Sequence, residues 1–159
     1  MTRRRSFTLI ELMIVITMIA VIIAISLPNF LEAKRQSNEA SAVSSLKALL
    51  SAEYMFREKD RDGDGILNFA TLAQLKASSL VHGTLADGSS NGYLFDVQAS
   101  TVTPNERFFA LANPSIQGDS GYRSFCTNHF GVVYYSMTAT AVMNNTTCDI
   151  PAGFTPIGQ

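Results

Sequence analysis

Residues 3–30, RRRSFTLIELMIVITMIAVIIAISLPNF, set three arginines in front of an apolar run that is broken near its start by one acid, Glu11. From Leu12 to Leu27 only Thr17 and Ser26 are polar, and Phe7, Leu9 and Ile10 carry the run back past Glu11. A helix rising about 1.5 Å per residue over positions 7–30 would cross the roughly 30 Å hydrocarbon core of a bilayer. Arg3, Arg4 and Arg5 would stay on the cytoplasmic side and place the rest of the chain outside. Glu11 is the exception, because a carboxylate in a membrane helix costs about 2.5–3.5 kcal/mol on insertion scales. Two readings compete for it: a spectator acid reaching back to the headgroups, or a functional group that meets a positive partner.

The 159 residues leave room for one anchor helix and one modest domain of about 100 residues. The net charge of -1 includes the three leading arginines. Without them nine Lys and Arg face thirteen Asp and Glu, and from Asp60 onward four basic residues face eight acidic ones, so there is no basic footprint for nucleic acid. Pro28 lies inside the helical pattern, where a bend or break is expected. The pattern resumes to about Glu58, with Val43, Leu46, Leu50 and Tyr54 along one face and Glu32, Lys34, Arg35, Gln36, Asn38 and Glu39 as a solvated link before it. Such a helix, apolar all round and then one-sided, suits a chain whose second half-helix packs on a sheet.

Helix-breaking residues follow in KDRDGDGILNF. Asp60, Asp62 and Asp64 with Gly65 reproduce the first half of an EF-hand loop, in which alternating carboxylates converge on one hard cation. Ile66 would offer its carbonyl and Asn68 a water-mediated ligand, but Thr71 stands where the bidentate Glu belongs. No cofactor is required, and Ca2+ is the ion this spacing would take; the competing reading is a solvated acidic turn. Phe69 to Ser79 reads as a short helix with Ala70, Leu72 and Leu75 on one face, followed by a loop with turn signals at Asp87-Gly88 and Asn91-Gly92. Four strands are expected from Tyr93, Arg107, Tyr122 and Gly131, giving an α+β chain with a four-stranded antiparallel sheet on the amphipathic half-helix. The tail PAGFTPIGQ reads as irregular.

Cys126 and Cys148 are the only cysteines. In an exported domain a disulfide is the natural expectation, worth about 3 kcal/mol in the chain-entropy model, with two buried thiols as the competing reading. His82 and His129 have no Ser, Cys or carboxylate motif beside them and no zinc spacing, so no enzyme is expected. Asn144-Asn145-Thr146-Thr147 holds overlapping N-x-T sequons.

The leader and the FTLIE that opens the apolar run resemble the type IV pilin superfamily, which includes pilins and the pseudopilins of type II secretion. The resemblance is specific over residues 3–30. It implies cleavage by the prepilin peptidase between Ser6 and Phe7, where the family usually has Gly before the cut, and N-methylation of the new Phe7 amine. It implies domains at 1–6 (leader), 7–30 (transmembrane or filament-core half-helix) and 31–159 (amphipathic half-helix and exported domain), in a ladle-like fold. Phe7, Glu11 and Pro28 would serve assembly, with Glu11 as the fifth mature residue pairing with the terminal amine of a neighbouring subunit. The implied partners are copies of the chain in a helical filament, the peptidase, an inner-membrane assembly platform and, before assembly, the membrane itself. The implied route runs from inner membrane to extracellular filament, or to a periplasmic pseudopilus. A C-terminal disulfide loop is common in type IV pilins and calcium ligands in major pseudopilins, so the residues point both ways. Other readings are a signal peptide cut after Ser26, which Glu11 argues against, and a membrane-anchored binding module.

Overall fold

The computed structural model describes residues 7–158, so the expected leader, residues 1–6, and the Ser6 side of the cleavage position lie outside the described residues. The chain divides into two compact units with the boundary between Lys34 and Arg35, four residues past the division read from the sequence. Helix α1, Leu9–Glu58, is a single element. Pro28 lies inside it without ending it, so of the bend or break expected there the break does not form: a proline forfeits one intrahelical hydrogen bond, and the surrounding turns carry the helix through.

In the first unit every residue from 7 to 30 is exposed. The helix that begins here is long and apolar enough to cross a membrane by length and composition. The one hydroxyl at its centre is satisfied internally, since Thr17 Oγ1 donates to the carbonyls of Met13 and Ile14 at 3.0 and 2.8 Å. Among the described residues nothing in this unit covers the apolar surface.

In the second unit α1 buries Glu39, Ala42, Leu46, Leu49, Ala52, Glu53 and Phe56. The expected face was centred on Val43, Leu50 and Tyr54, which instead flank the core as partly buried residues, and only Leu46 keeps its place. Small alanines at 42 and 52 and acids at 39 and 53 disguise the true stripe. Glu39, read as part of a solvated link, is only 5% exposed.

Six strands form one antiparallel meander in the order β1-β2-β3-β4-β5-β6 among the described residues: β1 Ser89–Ser90, β2 Tyr93–Ala99, β3 Phe108–Pro114, β4 Ser124–Asn128, β5 Val133–Ser136 and β6 Thr155–Pro156. The four expected strands are β2 to β5, and the count of four is corrected by two short edge strands. β6 comes from the tail read as irregular: Tyr134 faces Pro156 and Tyr135 faces Thr155, and a proline is tolerated there because an edge strand needs no second ladder. Between β1 and β2 the two-residue loop Asn91-Gly92 has φ of 47° and 75°, the left-handed pair a tight hairpin of this type demands. Two short helices, α2 Leu72–Ala77 and α3 Gly83–Ala86, precede the sheet.

Period-two alternation gives the sheet two apolar faces. Tyr93, Phe95, Val97, Phe108, Ala110, Ala112 and Phe125 join the α1 stripe in one core. Phe109, Leu111 and Cys126 face the other way, where the irregular segment after β5 covers them with Ala141, Met143, Cys148, Ile150 and Phe154.

The start of the second unit is tied down by polar contacts. Glu39 Oε1 accepts the N–H groups of Tyr122 and Arg123 at 2.8 and 3.2 Å, and its Oε2 takes the Arg123 Nε–H. Asn38 Nδ2 donates to the Ser120 carbonyl at 2.9 Å. Tyr93 Oη donates to the Arg123 carbonyl at 2.8 Å, and its ring lies so close to Gly121 that a Cβ there would fall 2.1 Å from Oη. Removing Glu39 leaves two N–H groups and a half-buried guanidinium without an acceptor. Glu39→Ala should therefore cost roughly 2–3 kcal/mol in denaturant unfolding of the full chain in detergent, and Glu39→Gln distinctly less. Equal losses for the two variants would show that packing, not hydrogen bonding, holds this corner.

Candidate functional site

Three groupings carry the residues singled out by the sequence. The first is the start of α1. Phe7 and Thr8 precede the helix and Phe7 is 82% exposed. Thr8 stands at the cap position and Glu11 three residues on. The Thr8 N–H and hydroxyl both donate to Glu11 Oε2, at 2.9 and 2.7 Å, while the Glu11 N–H reaches back to Thr8 Oγ1 at 3.3 Å. This reciprocal arrangement is a capping box, and its T-x-x-E signature ahead of an apolar run was readable in Thr8-Leu9-Ile10-Glu11. Glu11 thus has a partner inside its own chain as well as the intermolecular one expected for it. The local bonds supply donors to the carboxylate, and the positive end of α1 favours an acid in its first turn.

The second grouping is the acidic turn. Carboxylate oxygens of Asp60, Asp62 and Asp64 lie within 4.8 Å of one another. Asp60 Oδ2 accepts the Gly65 N–H at 3.0 Å and Asp64 Oδ1 the Ile66 N–H at 2.7 Å, so the turn folds around its own acids. Burial raises the pKa of Asp62, with the charge of Asp64 acting in the same direction. The remainder of the EF-hand expectation is altered. The Ile66 carbonyl accepts the Asn68 N–H at 2.9 Å. Thr71 is the cap of α2, in a capping box with Gln74, so the closing position of the loop serves a helix instead. Two oxygens remain buried without a hydrogen-bond partner, Asp60 Oδ1 and Asn68 Oδ1. Three converging carboxylates with two orphaned oxygens fit a hard, oxygen-seeking cation.

The third grouping corrects an expectation. Cys126 and Cys148 are free, buried thiols and not a disulfide. They share one apolar cluster with Phe109, Leu111 and Ala141, where a thiol behaves as a small apolar side chain. Cys148 has a left-handed φ of 56°, its N–H goes to the Asn144 carbonyl at 3.2 Å, and its own carbonyl accepts Asn128 Nδ2 at 2.9 Å. An oxidising compartment permits a bond between two cysteines, but packing and backbone hydrogen bonds already account for both positions here. Burial pushes the Cys126 thiol up to about 12 and raises Cys148 as well.

Neither histidine joins these groupings. His82 is the residue before α3, and His129 lies in the turn between β4 and β5 beside Phe130, its carbonyl accepting Tyr54 Oη at 2.6 Å. Burial lowers the His129 pKa.

Comparison with known proteins bears on the first grouping. Residues 1–27 match the family described as the prokaryotic N-terminal methylation motif. The chain is also similar to the type IV major pilin protein PilA of Myxococcus xanthus (strain DK1622), 48% identical over 63 residues, which are 39% of this chain and 29% of that protein. The matched stretch therefore spans under a third of the relative's length. No solved structure matches. A long apolar helix continued onto an antiparallel sheet is a pilin-like α+β arrangement. The motif and the relative support the type IV pilin superfamily.

The thiols yield a direct test. Iodoacetamide at pH 8 should label neither cysteine in the folded protein and both in urea before any reductant is added, since only unfolding exposes them. Labelling in urea that waits for a reductant would restore the disulfide.

Proposed function

We propose that this chain is a structural subunit of a type IV pilus filament, cleaved after Ser6 by a prepilin peptidase, methylated at Phe7 and assembled through its N-terminal helices. The observation that carries the proposal is the bare apolar half of α1, in which residues 7–30 are all exposed and largely fall within the stretch, 1–27, that matches the methylation motif. A surface of that extent requires either lipid or other helices of the same kind. The inner membrane supplies the first before assembly, and a bundle of identical helices supplies the second. Lipid tails and a helix bundle are about equally apolar, so transfer between them gains little from hydrophobicity. Specific contacts then decide. Both Thr8 bonds fall on Glu11 Oε2, so Oε1 is the oxygen that would meet the Phe7 amine of an adjacent subunit. The relative named a major pilin favours a pilus over a pseudopilus; a membrane-anchored binding module would keep the helix as a monomer.

Expression in cells lacking the native subunit tests this reading. Sheared surface fibres should yield a protein whose mass begins at Phe7 with one added methyl. Glu11→Val should be cleaved and membrane-inserted yet reach fibres roughly tenfold less or worse, the effect of about 1.4 kcal/mol per contact. Normal fibre yield would make Glu11 a helix cap only, and an uncleaved wild-type chain confined to membranes would favour the binding module.

A second, separable proposal concerns the acidic turn: Asp60, Asp62 and Asp64 hold Ca2+, with Asn68 completing the oxygen set. Its support is the convergence of three carboxylates beside two orphaned buried oxygens. A site with a dissociation constant near 0.1 mM would stabilise the chain by roughly 1.4 kcal/mol at 1 mM ion. The melting temperature should rise with calcium, and changing all three aspartates to Asn should abolish the rise. No shift at about 10 mM calcium, a concentration far above that constant, would leave a solvated turn.

A further inference from the structure

Glu53 sits in the middle of the buried stripe of α1 and is completely inaccessible. Its neighbours along that stripe, Leu49, Ala52 and Phe56, are apolar. Oε2 accepts the Ala70 N–H at 2.8 Å, while Oε1 is buried without a hydrogen-bond partner. Ala70 belongs to the segment that leaves α1 at Glu58, turns through the three aspartates and returns to the core, where Phe69 and Ala70 are buried and the Phe69 N–H bonds the Pro104 carbonyl at 2.8 Å. The contact between Glu53 and Ala70 therefore ties the base of a loop whose far part exposes Ile66 and Leu67.

Among the described residues no counter-ion faces the carboxyl. Arg57, one turn further along α1, lays its guanidinium over the Phe69 ring at 5.1 Å. Asp60, Arg61, Asp62 and Asp64 follow beyond the helix end, and the returning segment and the sheet bring Phe69, Ala70, Val97 and Phe108 to the same core. Burial, partly opposed by the Ala70 N–H, pushes the Glu53 pKa up to about 8, with no charge of either sign among the causes. A carboxylate here would place a negative charge with one unbonded oxygen in an apolar layer, whereas the protonated acid carries no charge.

We propose that Glu53 is a proton-operated latch: neutral, it holds Phe69 and Ala70 against α1, and on losing its proton to solvent it lets that segment open, admits water to the carboxylate and frees the acidic loop. The closed form binds a proton that the open form releases, because its pKa lies above the ordinary 4.5. Closure is thus fully favoured below the ordinary carboxylate range and weakens as pH rises to the closed-form value.

Amide hydrogen exchange on the full chain in detergent micelles reads this directly, with rates corrected for the intrinsic pH dependence of exchange. The Ala70 protection factor should fall by up to roughly tenfold per pH unit between about pH 5 and 8 in the wild type and stay flat in Glu53→Gln, which keeps an acceptor and cannot ionise. At the top of that range Ala70 should exchange well ahead of the β3 amides. Three results would overturn the latch: the same slope in Glu53→Gln, a flat wild-type profile, or Ala70 and β3 exchanging together at every pH. Should Glu53→Gln fail to fold, the wild-type infrared band of protonated carboxyl decides instead. Its persistence near neutral pH supports the latch, and its disappearance along with the ordinary surface carboxylates overturns it.

Discussion

Burial of the second half of α1 against one face of the sheet is the contact on which the second unit depends. Leu46, Leu49 and Phe56 are almost wholly inaccessible, and the aromatic side of the sheet, Tyr93, Phe95, Phe108 and Phe125, closes on them. Each fully buried side chain of that size contributes about 1.5–3 kcal/mol. The alanines at 42 and 52 are as much a part of this as the large residues, because a small side chain lets a helix and a sheet approach closely. Among the described residues the opposite face has no helix. It is covered by the irregular segment after β5, which brings Ala141, Cys148 and Phe154 over Phe109, Leu111 and Cys126. An irregular cover must satisfy its own backbone, and Asn113 and Asn128 do part of this: Asn113 bonds both the N–H and the carbonyl of Ala141, and Asn128 the Cys148 carbonyl.

Where the sequence carried a strong periodic signal it was legible. The apolar run fixed the start of α1 to within two residues, and alternation in Tyr93 to Ala99 located β2 from end to end. Asn91-Gly92 was read as a turn, although the short strand before it was not. The buried stripe of α1 was misplaced because periodicity counts large apolar residues, and two of its seven members are alanines and two are glutamates. Glu39 and Glu53 could be buried only because partners far away in sequence, at 122–123 and at 70, supply donors, and nothing local encodes that. β6 escaped for a similar reason, since a two-residue strand is defined by its neighbour β5 and not by its own composition. The cysteines were misread because an expectation about compartment stood in for one about packing. At the candidate site the residues were found but their local bonds were not: Thr8 and Thr71 both head capping boxes whose T-x-x-E and T-x-x-Q patterns lay open in the sequence.

Three acids of α1, Glu11, Glu39 and Glu53, stand where an acid is costly or where the helix would otherwise be apolar, and each accepts a backbone N–H: from Thr8, from Tyr122 and Arg123, and from Ala70. The shared device leaves each with a different remainder. Glu39 adds the Arg123 guanidinium and is complete within the chain. Glu53 has no cation among the described residues, and its second oxygen is sealed in the core, so losing its charge is the remedy that leaves the fold closed. Glu11 has neither a cation from its own described residues nor a core to seal it. Its capping box secures the helix start, whose first N–H groups would otherwise go unpaired in lipid. That role explains an acid at this position whether or not filaments form. It does not remove the charge, which in a membrane remains a cost that a positive group from another molecule would offset. In the filament proposed for this chain, the same carboxylate therefore serves twice, first closing its own helix and then giving an otherwise featureless apolar surface one point at which register between neighbours matters.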